Sequence, residues 1–242
     1  MRRRKFSWST VYLIFVFILL YIPIFYLIFY SFNQGGNMST FTGFTWEHYQ
    51  SLFSDSRLIS IVVQTFVLAF LSALLATIIG TFGAMGIYYT RKRNSRNVLL
   101  GLNNILMVSP DVIIGASFLI LFTMLGGVLK NFQLGFVSVL LSHIAFSIPI
   151  VVLMVLPKLK EMNDSMIDAA RDLGANNFQV LSNIILPFLT PGIIAGYFMA
   201  FTYSLDDFAV TFFVTGNGFT TCLLYTSPSP RDMRRSRMPS SA

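Results

Sequence analysis

Charge is scarce in this sequence: 11% of its 242 residues are Asp, Glu, Lys or Arg, against 55% that are apolar. Soluble domains carry about a quarter of their residues charged, so an ordinary water-soluble fold is excluded, and a mean hydropathy of +0.68 puts the chain in the membrane class. Cys222 is the one cysteine, which excludes an internal disulfide and any cysteine-built metal cage. No second His or Cys stands at ligand spacing to His143. A Gly-x-x-x-x-Gly-Lys-Ser/Thr loop is missing too, so this chain has no such cradle for nucleotide phosphates.

What is present is a series of long apolar runs, about 9–32, 59–89, 98–125, 134–156 and 190–214. Each is long enough to cross about 30 Å of hydrocarbon, which takes roughly 20 helical residues. They predict an all-α integral membrane protein with five spans. The second run is too long for one straight span, so its ends belong in the interface. The first has no small-residue cleavage site after it and exceeds the apolar core of a signal peptide, so it is read as a retained helix.

The net charge of +7 points to topology and not to nucleic acid. Arg2, Arg3, Arg4 and Lys5 precede the first span, Arg91, Lys92, Arg93 and Arg96 follow the second, and Lys158, Lys160 and Arg171 follow the fourth. The opposite loops hold only Arg57 and Lys130. This asymmetry predicts a cytoplasmic basic N-terminus over 1–8 and a cytoplasmic loop over 157–189. Beyond the transmembrane domain of 9–221, composition switches to Ser, Pro and Arg over 222–242, and its arginines oppose the bias that the other loops obey. That tail resembles translated adapter or vector sequence; a natural chain is expected to continue past about Thr221 into a sixth span.

The 157–189 loop reads as two short amphipathic helices. Ser165 and Asp168 approximate a capping box, which predicts a helix start near Ser165. Met166, Ile167, Ala170 and Leu173 recur at helical spacing on one apolar face. Gly174 suits a left-handed helix end, Asn176 or Asn177 a new cap. Phe178, Leu181, Ile184 and Ile185 form the second apolar face, expected to stop before Pro187. Asp168-Ala169-Ala170, three residues, Gly174, nine residues, then Ile184, one residue, Leu186-Pro187 resembles the Glu-Ala-Ala loop of ABC importer permeases. Asp168 stands where that pattern has Glu, keeping the charge but shortening the reach. The resemblance implies a type I importer permease fold in which Asp168, Ala169, Ala170, Gly174, Ile184, Leu186 and Pro187 form a coupling helix docked on a separate ATPase subunit. ATP is then used by the partner, and this chain is a non-catalytic subunit that binds no cofactor.

"YIPI" (21–24), "SFN" (31–33), "MVSPDVIIG" (107–115), "FSIPIVV" (146–152) and "FTYSLDDFAVTFFVTG" (201–216) extend the resemblance over about 8–221, to inner-membrane permeases of spermidine/putrescine importers. It implies six spans, a second permease subunit, two ATPase copies, a periplasmic solute-binding protein, a polyamine solute and a place in the bacterial inner membrane.

Three acids, Asp111, Asp206 and Asp207, fall within or at the ends of spans, where a charge usually faces a cavity or marks a pathway. Asp206 and Asp207 are adjacent, so on one helix they point about 100° apart and only one faces the pore. Phe201, Tyr203 and Phe208 offer aromatic walls that attract ammonium groups. Asp111 follows Pro110, so its carboxylate is expected to cap a restarted helix in a kinked third span. His143 reads as a buried interhelical hydrogen-bonding residue. Gly80, Gly83 and Gly86 suit close helix packing, and Thr45 a cap for a short outer helix bearing Trp46, Tyr49 and Phe53. Alternatives to the polyamine reading are another small solute on the same fold, or an ion-coupled secondary transporter using the membrane acids.

Overall fold

The computed structural model describes residues 8–35, 40–128, 132–216 and 219–226. The basic residues 2–5, Lys130 and the tail from 227 lie outside the described residues. Within them the chain is helical, with one isolated antiparallel bridge from Asn33 to Phe44. It divides into two compact units, Met1–Ser60 and Ile61–Ala242.

The first unit opens with α1 (Trp8–Tyr30), apolar on every side, as a lipid-facing span must be. A turn follows, closed by Asn33, whose side chain donates to the Thr40 carbonyl at 2.8 Å and accepts from Thr42 N–H at 2.8 Å. Phe32 stacks on Phe44 and Tyr49 at 5.2 Å each and meets Trp46 edge-on at 5.0 Å. These rings precede and enter α2 (Glu47–Ser54). Thr45 Oγ1 accepts Glu47 N–H at 3.2 Å, as expected of a capping threonine. Asp55 Oδ1 then accepts from Arg57 and Leu58 N–H, which caps the next helix.

The second unit holds α3 (Ser56–Tyr89, its first turn in the first unit), α4 (Arg93–Val108), α5 (Asp111–Val128), α6 (Phe136–Glu161), α7 (Asp164–Asp172), α8 (Asn177–Val180), α9 (Leu186–Asp206), α10 (Ala209–Val214) and α11 (Cys222–Thr226). Four stretches are long and apolar enough to cross a membrane: α1, α3, α6 and the continuous Asn177–Asp206; α4 with α5 makes a fifth if that bent pair is one span. The expected third span is therefore not one kinked rod. α4 and α5 meet at 107°, because Ser109 precedes a proline and is extended (φ −69°, ψ 137°). The Pro110 carbonyl then starts α5 by accepting from Ile113 and Ile114. The fifth span also differs from its expected bounds: α9 ends at Asp206 and the chain restarts as α10 after a break at Asp207 and Phe208.

α6 packs along α9, and α10 packs against α5 and α6. One buried cluster joins Met85, Val155, Leu159, Ile167, Val180, Ile185 and Leu189, seating the α7–α8 elbow on the ends of α3, α6 and α9. A second joins Leu68, Ile114, Phe122, Val139, Phe146, Val210 and Val214 around the α9–α10 break. The glycines of α3 do not share one packing face. A Cβ at Gly80 would lie 2.7 Å from Val151 Cβ and 3.2 Å from the Ile148 carbonyl, one at Gly83 would touch Val152 at 3.8 Å, and one at Gly86 would meet nothing within 4 Å. Steps of three residues rotate about 60° away from the contact each time. Gly80→Ala is expected to destabilise the protein by about 1–3 kcal/mol through overpacking, whereas Gly86→Ala is neutral or stabilising by up to about 1 kcal/mol through helix propensity. Thermal unfolding of the detergent-solubilised protein compares the two directly.

Candidate functional site

Two regions collect the residues that the sequence singles out. The first is the elbow. α7 is capped by Asn163, whose Oδ1 accepts Ser165 N–H at 3.0 Å, so the helix starts at Asp164, one residue before the expected Ser165, and no Ser165–Asp168 box forms. Its end is a Schellman motif: Gly174 takes φ +83°, its N–H donates to Arg171, and Ala175 N–H donates to Ala170 at 3.0 Å. Asn176 and Gln179 then exchange side-chain and backbone bonds at 2.8 and 2.9 Å, a reciprocal capping box.

The second elbow helix does not stop before Pro187. It runs through a π turn, Leu181–Ile185, straight into α9. Leu186 N–H bonds back five residues to Leu181, and Pro187 follows at the head of α9, where its missing N–H is tolerated.

Burial also departs from the two apolar faces read in sequence. Ile167, Ala170 and Ile185 are buried and Ile184 half-buried, but Ala169 is exposed, so the two alanines do not share one face. Leu173 is 89% and Phe178 75% exposed, flanking the Gly174 turn as two outward apolar knobs. Asp168 is exposed at a cavity of about 620 Å³ with Tyr89, Arg91, Asp164, Arg171 and Asn177. Ala170, Gly174 and Ile184 line a second cavity of about 310 Å³ with Leu173, Gln179 and Asn183. Leu186 and Pro187 line neither.

The other region is a cavity of about 400 Å³ lined by Asp111, Tyr203, Asp206, Asp207, Phe208 and Ala209. Here the break removes the helical offset expected between the paired acids. Asp206 ends α9 and Asp207 is extended (φ −70°, ψ 120°), so the 100° helical offset does not apply and both reach the cavity wall. Their surroundings differ. Asp207 Oδ1 accepts Val210 N–H at 3.1 Å, and Oδ2 accepts Thr211 N–H at 2.8 Å and Thr211 Oγ1–H at 2.7 Å. Asp206 is exposed, and its carboxylate hydrogen-bonds to no described residue.

Asp111 also departs from its expected role. It opens α5, but its Oδ1 accepts the Tyr203 hydroxyl at 3.0 Å instead of capping its own helix. Phe201 turns away from the cavity to pack on Tyr197 and Phe66, each at 6.3 Å. Tyr203 meets Phe146 edge-on at 5.1 Å, and Phe208 stays exposed. His143 is fully buried and bonds across helices, as its position in a span suggests.

Residues 76–227, a stretch that contains both regions, match the family described as binding-protein-dependent transport system inner membrane component. The chain belongs to that family: it is a multi-pass permease of the inner membrane. Among curated proteins it is 37% identical over 212 residues to the spermidine/putrescine transport system permease protein PotC of Haemophilus influenzae, covering 88% of this chain and 80% of that protein. PotC of Escherichia coli is 39% identical over 204 residues, covering 84% of this chain and 75% of that one. The putrescine permease PotI of Escherichia coli is 33% identical over 225 residues, covering 93% and 80%. Among solved structures, an inward-facing MetNI methionine ABC transporter shares the fold, with a TM-score of 0.55 at 20% identity over 66% of this chain and 76% of that one.

The Asn176 cap is local and gives a direct check of the elbow. Asn176→Ala removes one bond of the capping box and is expected to cost about 1 kcal/mol. Hydrogen–deuterium exchange would then show faster exchange at Gln179 and Val180, with α9 beyond Leu189 unchanged.

Proposed function

We propose that this chain is the permease subunit of an ATP-driven importer that moves polyamines into the cytoplasm. The observation that carries the reading is the cavity at the α9–α10 break, where Asp111, Asp206 and Asp207 stand with Tyr203 and Phe208. A linear polyamine carries ammonium groups along its length. Carboxylates answer their charge, and aromatic faces add attraction to cations. A 37–39% identity to spermidine/putrescine permeases supports the same cargo.

The elbow is the seat of the partner ATPase, one copy on this chain and one on a second permease subunit that completes the pore. Asp168, Ala169, Ala170, Gly174, Ile184, Leu186 and Pro187 transmit its movement, and Leu173 and Phe178 supply apolar knobs of the kind that fill a partner's pocket. Catalysis and nucleotide belong to that partner; this chain binds no cofactor. A periplasmic solute-binding protein delivers the cargo on the opposite side, and the N-terminus lies in the cytoplasm.

Uptake of labelled spermidine and putrescine by cells stripped of their own polyamine importers tests the cargo. Uptake that depends on this chain and is abolished by inactivating the ATPase subunit is the expected result. Uptake that survives ATPase loss favours an ion-coupled carrier, and no uptake of either polyamine removes the cargo assignment. Gly174→Val tests the elbow: a β-branched residue resists φ +83°. The variant is expected to reach the membrane at parental abundance while solute-stimulated ATP hydrolysis by the assembled complex falls at least tenfold.

A further inference from the structure

A buried polar chain crosses four helices of the second unit, and the transport reading leaves it unused. His143 on α6 has no exposed surface, yet both ring nitrogens are engaged. Nδ1 lies 2.6 Å from Ser204 Oγ on α9, and Nε2 lies 3.0 Å from Thr211 Oγ1 on α10. Nε2 also stands 3.4 Å from Asp207 Oδ2. Ser204 Oγ continues to Ser72 Oγ on α3 at 3.0 Å. A carboxylate only accepts, so Thr211 Oγ1–H donates to Asp207, and its oxygen takes the His143 Nε2–H. In the neutral ring, Nδ1 then accepts from Ser204, and Ser72, whose hydroxyl also donates to the Ala69 carbonyl at 3.1 Å, closes the far end of the chain. From Ser204 onward, each donor points toward Asp207.

The consequence falls on the two acids unequally. Asp207 spends both oxygens on Val210 and Thr211, and its side chain is 6% exposed. Asp206, its neighbour, stands exposed at the cavity and accepts no hydrogen bond from any described residue. We propose that His143 is a positioning residue of the transport pathway: through Thr211 it fixes Asp207 as the cap of α10, which holds the helix break in place and leaves Asp206 as the carboxylate that meets the cationic solute. The inference rests on reading the cavity as the solute's path. It divides the acid pair into a structural member and a solute-facing member, joined by a histidine that touches no solute.

The test is a pair of double-mutant cycles on the transporter co-expressed with its partner subunits, read by thermal stability of the purified complex and by polyamine uptake per complex. Asp206→Asn is expected to raise KM at least tenfold with Tm unchanged. His143→Ala and Asp207→Asn are each expected to lower Tm and to cut the maximal rate at least fivefold, with KM moving less than threefold. Combining those two should be no worse than the more damaging single change, whereas His143→Ala with Asp206→Asn should multiply their effects. His143→Gln, whose amide N–H reaches toward Thr211, should recover at least half of the maximal rate.

Independent, multiplying effects of His143 and Asp207 would overturn the proposal, as would a KM rise for Asp207→Asn at unchanged Tm. If the alanine variant does not assemble, His143→Gln with Asp207→Asn carries the same cycle. The stability cycle uses no cargo. A parent that takes up neither polyamine sinks the cargo assignment, while the Tm coupling still decides the link between His143 and Asp207.

Discussion

Hydrocarbon offers no hydrogen bonds, and this single constraint governs where the helices are allowed to break. A backbone group freed inside the bilayer must find its partner within the protein. At the α9–α10 break the partner is a side chain: the Asp207 carboxylate takes two N–H groups of α10. At the α4–α5 bend it is a backbone carbonyl, that of Pro110, which takes the Ile113 and Ile114 N–H groups of α5. The two breaks approach each other through Tyr203 and Asp111, so the cavity between them is a by-product of how each was capped. An acid retained in a membrane protein for capping is then available to the chemistry of a cationic cargo, and only its neighbours decide which use it serves.

The elbow shows the opposite economy. There the chain lies at the end of the bundle, where water is at hand, and each turn is closed by its own local residues: Asn163, Gly174, Asn176 and Gln179. Tertiary packing anchors only its inner face, through Ile167, Val180 and Ile185. A surface piece whose turns are closed locally and whose inner face is fastened to the bundle keeps its shape when a partner presses on the other side.

This difference explains what the sequence made legible. The first, second and fourth spans, the Gly174 turn and the Asn176 cap depend on residues close in the chain, and they are close to where composition and spacing put them. Asn163 was hidden because Ser165 and Asp168 imitate a capping box, although an aspartate is too short to reach back as a glutamate does. A proline announces an interruption but not its angle, so spacing alone does not give the 107° bend at Pro110, beyond which α5 packs against α10. Pro187 misled in the other direction, since the π turn before it shifts the hydrogen-bond register and lets the helix continue. Helical periodicity identifies the side of a helix that is apolar without telling whether this chain or another covers it, which is why Leu173 and Phe178 share the apolar faces of the buried Ile167 and Ile185 in sequence and yet stand exposed. The joint presence of Asp206 and Asp207 at one wall was illegible for a simpler reason: the helix ends between them.

The unbroken run from Asn177 to Asp206 has a geometric consequence of its own. Thirty residues of helix make a lever arm about 45 Å long, with the elbow turn at one tip and the unbonded carboxylate at the other. A tilt of only about 5° sweeps the far tip through about 4 Å, comparable with the width of an alkyl chain. The π turn sits near the elbow tip, and the 21 residues beyond it form one continuous α-helix. By this geometry, a small displacement at the elbow tip would become a stroke of molecular size at the other tip without any residue along the way having to change its conformation.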